Sequence, residues 1–208
     1  INDNSSADYA LSSIDLSGCT SLETLTINNC LNLTTVDFAD LTAIKTIDLG
    51  GCQYFAGVVD LSGKTALTTI TMGANKVTSL KISGCTALTD VNMAATSTLT
   101  TISGVNTCTE LVTLNLVNTS IQSLDLSSNQ KLQQVNVYNC KSLTYLDLTR
   151  SSESSTLSSL NITNCTALTN LNLYNCKGIT SLAASSLTAL QTLNLSYSGV
   201  STFNAATD

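Results

Sequence analysis

The chain has 208 residues, of which 43% are hydrophobic, with no Pro, His or Trp and a net charge of −6. That apolar share supports a packed interior. Acidic charge scattered without blocks argues against nucleic acid or an anionic membrane as partner. No apolar run has the length of a membrane span, so no direct membrane insertion is expected.

Residues 1–10, INDNSSADYA, include neither Met nor a signal peptide and read as a lead-in or cap on a mature or excised fragment. From residue 11 to 208 one unit repeats. Its leading apolar residue falls at Leu11, Leu22, Leu33, Ile44, Ala56, Leu67, Val77, Leu88 and Leu99. It continues at Leu111, Ile121, Leu132, Leu143, Leu157, Leu168, Ile179, Leu190 and Val200. Most steps are eleven residues, and the longest, from Leu143 to Leu157, is fourteen. Within a unit, positions 1, 4 and 6 are apolar, as in Leu33, Val36 and Phe38.

A helix does not suit this spacing. At about 100° per residue the apolar positions spread over roughly 200° and leave no seam. Thr, Ser, Asn and β-branched residues also favour strands and turns. Positions 4 and 6 share one face of a short strand, and Gly, Ser and Asn at positions 7 and 8 turn the chain. One strand and a corner cannot bury their own apolar side, so the units must stack as a repeat solenoid. Two units make a coil of about 22 residues, giving about nine coils and a rod of roughly 43 Å with parallel β-strands on one or both faces.

Every cysteine takes the ninth position, with one inserted residue before Cys108: Cys19, Cys30, Cys52, Cys85, Cys108, Cys140, Cys165 and Cys176. Adjacent coils bring some of them near each other, but side chains stacked in register point the same way, which suits a ladder of free thiols better than disulfides. Without His or a CxxC pair, no metal site is expected.

The segment LxxLxLxxC/N, as in Ile121 to Asn129 and Leu157 to Cys165, resembles the leucine-rich repeat family. It is most similar to the short repeats of exported surface proteins from gut-dwelling Gram-negative bacteria, and more distantly to internalins. The resemblance implies that the cysteines and Asn129 turn inward and hydrogen-bond the corner backbone. It also implies a role in adhesion or host contact at the bacterial surface, with a lipid anchor conceivable in a longer chain. In that family the second half-coil is helical or irregular, whereas here both halves carry the strand triplet.

Position 5 forms outward columns. One runs Asp15, Asp37, Asp60, Lys81, Ser103, Asp125, Asp147, Asn172 and Asn194. Short polar groups of this kind solvate a strand face. Asp15, Asp37 and Asp60 offer oxygen ligands for Ca²⁺, but residues at strand spacing do not enclose an ion. Nor does a flat column drive two carboxyl pKa values apart for glycoside hydrolysis. No cofactor and no enzymatic activity are expected.

Four tyrosines cluster in the last third, at positions predicted to face outward: Tyr138, Tyr145, Tyr174 and Tyr197. Asp147, Arg150 and Asn172 lie among them, as does the longest inserted corner, Thr149 to Thr156. These residues form the predicted binding surface for a protein or glycan. Gln53, Tyr54 and Phe55 form a lesser candidate corner or pack on the coil below. The competing function is a spacer rod that presents another domain. A remoter one is ice binding, since the pairs Thr24/Thr26 and Thr69/Thr71 resemble the flat Thr arrays of ice-binding β-solenoids, although Asp48, Asp90, Asn92 and Asn136 interrupt the array. Val200 to Phe203 occupies a strand slot with no polar cap after it, which leaves room for end-to-end self-association.

Overall fold

The structure, a computed structural model, describes residues 11–151 and 156–204. The described residues form sixteen parallel strands on two faces. The first face carries β1 (Thr24–Thr26), β2 (Thr46–Asp48), β4 (Thr69–Thr71), β6 (Asp90–Asn92), β8 (Thr113–Asn115), β10 (Gln134–Asn136) and β12 (Ser159–Asn161) as one seven-stranded sheet. β14 (Ser181–Ala183) and β16 (Thr202–Asn204) pair beyond it. The second face carries β3 (Ala56–Asp60), β5 (Lys76–Lys81) and β7 (Thr101–Ser103), then β9 (Ser123–Asp125), β11 (Tyr145–Asp147), β13 (Asn170–Asn172) and β15 (Thr192–Asn194).

Strands on both faces follow from the triplet's presence in both half-coils, and a single short 3₁₀ turn, Val105–Thr107, interrupts them among the described residues. Most strands are three residues long, because the apolar residues at positions 4 and 6 need only that much extended chain before the corner. Their middle residues stack in register. Leu25 lies over Ile47, Ile47 over Ile70, and Ile70 over Val91. On the second face Leu124, Leu146, Leu171 and Leu193 do the same.

The core is one continuous column. One leading residue differs from expectation: Ala56 is exposed and Phe55 takes the buried place, 2% exposed. The twelve-residue step before Ala56 is thereby absorbed in the corner. Tyr54 stays outside, with the Lys76 ammonium 4.5 Å from its ring centroid.

Two side-chain columns hold the corners. Outside, the position-5 carboxylates and amides accept the backbone N–H two residues on: Asp15 from Ser17 and Asp60 from Ser62 on the second face, Asn92 from Ala94 on the first. A short side chain here substitutes for a backbone turn bond. The polar columns therefore shape the chain as well as solvating it. Hydrogen bonding from Ser17 and Ser62 also holds the Asp15 and Asp60 carboxyls below their ordinary range.

Inside, the ninth-position thiols donate to carbonyls of the preceding coil. Cys52 reaches Ile27 O (2.9 Å), Cys85 reaches Leu61 O (3.1 Å) and Cys140 reaches Leu116 O (3.0 Å). Cys108, Cys165 and Cys176 bond Ile82 O, Val137 O and Leu148 O in the same way. Asn129 Nδ2 donates to Val105 O and Cys108 O, both at 2.8 Å. No disulfide joins any cysteine, and all but the half-buried Cys19 are fully enclosed. Burial pushes the thiols of Cys52, Cys85, Cys108, Cys140, Cys165 and Cys176 up, Cys165 to about 12 and Cys176 to about 11, so these six stay neutral donors.

The same slot holds Lys64, Asn75, Thr96 and Thr119, all buried. Lys64 Nζ donates to Leu41 O (3.3 Å) and Thr96 Oγ1 to Met72 O (3.1 Å). Sequence reading missed these four because it followed residue type, although the nine-residue count places each of them.

Candidate binding surface

The three layers β11, β13 and β15 set Tyr145, Asn170 and Thr192 in one outward row, with Asp147, Asn172 and Asn194 in the next. Over Leu146 and Leu171 they leave a shallow depression of about 210 Å³, lined by Tyr145, Asn170, Asn172, Thr192 and Asn194. Tyr145 leans along its own strand and its hydroxyl donates to Asp147 Oδ2 at 3.2 Å. Asp147 Oδ1 accepts the Thr149 N–H (2.8 Å) and hydroxyl (2.7 Å). Asn172 Nδ2 donates to Asp147 Oδ2 (3.2 Å) and Thr149 Oγ1 (2.8 Å).

Partial burial pushes the Asp147 carboxyl up, but the hydrogen bonds from Thr149, Tyr145 and Asn172 outweigh it and leave the group below its ordinary value. Desolvation and the Asp147 charge raise the Tyr145 phenol. Asp147 thus serves as an internal acceptor that fixes its neighbours, its two oxygens already engaged by four donor groups from three residues.

At the corner beyond these strands, Tyr174 and Tyr197 meet edge to face, ring centroids 5.6 Å apart and planes at 76°. Tyr197 is 72% exposed and sits at φ 59°. This eighth position requires left-handed backbone in most coils, and the other corners supply Gly, Asn or Ala, as at Gly51, Asn139 and Ala95. A bulky residue is a steric outlier there.

Two predicted site residues part from this group. Tyr138 is exposed as expected, but β10 belongs to the first face, so its ring leaves a different corner from Tyr174 and Tyr197. Arg150 is not on the surface at all: it is 1% exposed, and Nη1 donates to Leu126 O (3.0 Å) and Asn129 O (3.1 Å). The insertion displaces the ninth residue of this unit, and the long side chain from the eighth position fills the vacated rung. Residues 152–155 of the inserted corner lie outside the described ones, and with them the expectation that this corner adds recognition. Among the described residues no cluster of His, Cys, Asp or Glu is arranged to hold a metal ion.

Stacked parallel strands, inward rungs and outward polar columns decide the architecture. The chain has the fold of a leucine-rich repeat solenoid. Residues 111–198 match the family model of the leucine-rich repeat domain of the endo-β-N-acetylglucosaminidase EndoS. The solenoid is similar in structure to the functional domain of InlJ from Listeria monocytogenes, described as including a cysteine ladder. The TM-score is 0.53 at 21% identity, covering 93% of this chain and 53% of that one, so this chain spans about half the length of the InlJ domain. A leucine-rich repeat protein of Leptospira interrogans aligns with TM-score 0.43 and 14% identity over 94% of this chain and 66% of its own. No curated protein matches the sequence. No described helix is long and apolar enough to cross a membrane.

Proposed function

We propose that this leucine-rich repeat solenoid is an interaction module, without catalysis of its own, that binds a protein or glycan partner at the bacterial surface through the second face near its C-terminal end. The observation that carries the reading is Tyr197: a large exposed ring held at φ 59° and set against Tyr174. Asn or Gly would make that corner with less strain, and strain retained where the fold does not need it points to function. Exposed tyrosines on a rigid frame supply contact area at low entropic cost. Leucine-rich repeat solenoids such as the InlJ domain present extended surfaces suited to this task.

The test is binding of the labelled chain to intact epithelial cells and to immobilised mucin and matrix proteins. The reading expects capture that falls at least tenfold when Tyr174→Ala and Tyr197→Asn are combined, with circular dichroism unchanged. Capture that ignores both changes would remove it.

A second reading, a spacer presenting another domain, draws support from the EndoS family model, which describes one domain within a larger enzyme. Here the tyrosine variants would leave every binding activity of the longer protein intact, while deleting whole coils would impair it. End-to-end association of copies is a further proposal. It is supported by the half-buried Leu193, Leu195, Val200 and Phe203 on the last coils, and sedimentation that shows only monomer at high concentration would dismiss it.

A further inference from the structure

The depression over β11, β13 and β15 differs in chemistry from the tyrosine ledge beside it. Its rim is neutral: the three carboxamides of Asn170, Asn172 and Asn194, a hydroxyl and a phenol ring, with the nearby Asp147 carboxylate already bound to Thr149, Tyr145 and Asn172. The amides are oriented in advance. Asn194 Oδ1 is taken by the Ser196 N–H at 3.0 Å and Asn170 Oδ1 by the Thr169 hydroxyl at 2.8 Å. The NH₂ group of each of these two, with no partner among the described residues, is thereby left as an outward donor in a fixed direction. The Thr192 hydroxyl stands exposed between them.

From this arrangement we infer that the depression takes one ring of a neutral oligosaccharide, whose hydroxyls meet Asn170, Thr192 and Asn194 and whose apolar edge rests on Tyr145. The inference rests on the proposed binding surface and names its ligand class. Three properties select that class. An acidic ligand would find no cationic side chain on the rim, and the one carboxylate nearby, Asp147, lies outside the lining with its oxygens already accepting from three residues. A protein hot spot centres on a deep desolvated pocket for an aromatic or Arg anchor, and none is present here. The depression, about 210 Å³, falls below the roughly 300–1,000 Å³ of drug-sized sites, so it suits a single small ring of a longer chain. Donors that need no reordering on binding offset the weakness of each hydroxyl contact.

The experiment is affinity electrophoresis of the intact chain through gels carrying a galactomannan, a glucomannan, a xyloglucan or a mixed-linkage β-glucan. Polygalacturonate and a sulfated glycan serve as charged controls. Retardation in at least one neutral gel is expected, with a loss of at least fivefold in affinity for Asn170→Ala, Thr192→Val and Asn194→Asp. The last variant retains the acceptor for Ser196 and so retains the corner. Retardation in none of the neutral gels, in the charged gels only, or to the same extent in all three variants overturns the inference. If the Tyr174→Ala and Tyr197→Asn pair abolishes cell capture while no neutral gel retards the chain, the binding surface stands and the glycan assignment falls.

Discussion

The corners that follow β11 and β13 lie one layer apart and close the same interior slot by different means. After β13, Cys176 supplies a neutral thiol to Leu148 O at 3.1 Å and is otherwise enclosed by the core. After β11, Arg150 supplies a guanidinium to Leu126 O and Asn129 O, and its Nε and Nη2 are buried with no hydrogen-bond partner among the described residues. Burial pulls the pKa of that guanidinium down. The comparison teaches that the rung requires a donor aimed at the carbonyls of the coil before. The thiol meets that need at little desolvation cost, whereas the cation leaves donors unpaired.

The largest effect expected from breaking this comparison is at Arg150. Arg150→Ala removes the side-chain donor from two buried carbonyls, leaving each only its backbone N–H, and opens a cavity, a loss of about 3 kcal/mol by the usual scale of such truncations. Arg150→Met fills the space and removes the unpartnered donors, so urea unfolding should show it recovering at least half of that loss. Equal losses for Ala and Met would mean that the hydrogen bonds, and not the volume, hold this coil.

On the thiol side, Cys140→Ala should cost about 1–2 kcal/mol, for one sulfur's packing and its weak hydrogen bonds with Leu116 O and Thr119 Oγ1. A labelling experiment sharpens the point. At pH 8 a maleimide should react quickly with the half-buried Cys19 and reach the other seven only on unfolding. Rapid native labelling of Cys108 or Cys165, whose thiols burial holds at about 11 and about 12, would contradict the ladder.

Arg150 also marks where the sequence stopped being legible. The apolar triplet, its strand periodicity and the inward cysteines could be read because each is a local pattern repeated many times. Lys64, Asn75, Thr96 and Thr119 could have been read by the same count, had the slot been defined by position and not by sulfur. Arg150 could not, since an insertion broke the count and only three-dimensional stacking shows which side chain reaches the empty rung. The tyrosines were legible as exposed, but which corner each occupies depends on which face its strand joins, and so Tyr138 separates from Tyr174 and Tyr197. The role of the Asp and Asn column in capping the strands was overlooked because a polar strand face needs no further account.

A smaller effect of opposite sign is expected at Tyr197. Tyr197→Asn replaces a bulky left-handed residue by one that tolerates φ near 59°, and should raise stability by about 1 kcal/mol while lowering partner binding. A variant that loses both stability and binding would show the ring to be part of the packing.

The smallest effect concerns Asp147. Its carboxyl lies below the ordinary value of 3.8 because the donors from Thr149, Tyr145 and Asn172 favour the charged form over the cost of partial burial. A depressed carboxyl stabilises the fold above its unfolded pKa, and that contribution is lost as pH falls through the lower folded value. Since Asp147 remains partly in contact with solvent, the contribution stays below about 1 kcal/mol. Asp147→Asn preserves the acceptor for the Thr149 N–H but cannot titrate. The native chain should therefore be the more stable of the two at pH 7, and the difference should shrink as the pH is lowered through and below the usual carboxylate range. A difference that stays constant from pH 7 to pH 3 in parallel urea melts would show that the carboxylate at this corner acts by shape alone, as the asparagines at the same position do on β13 and β15.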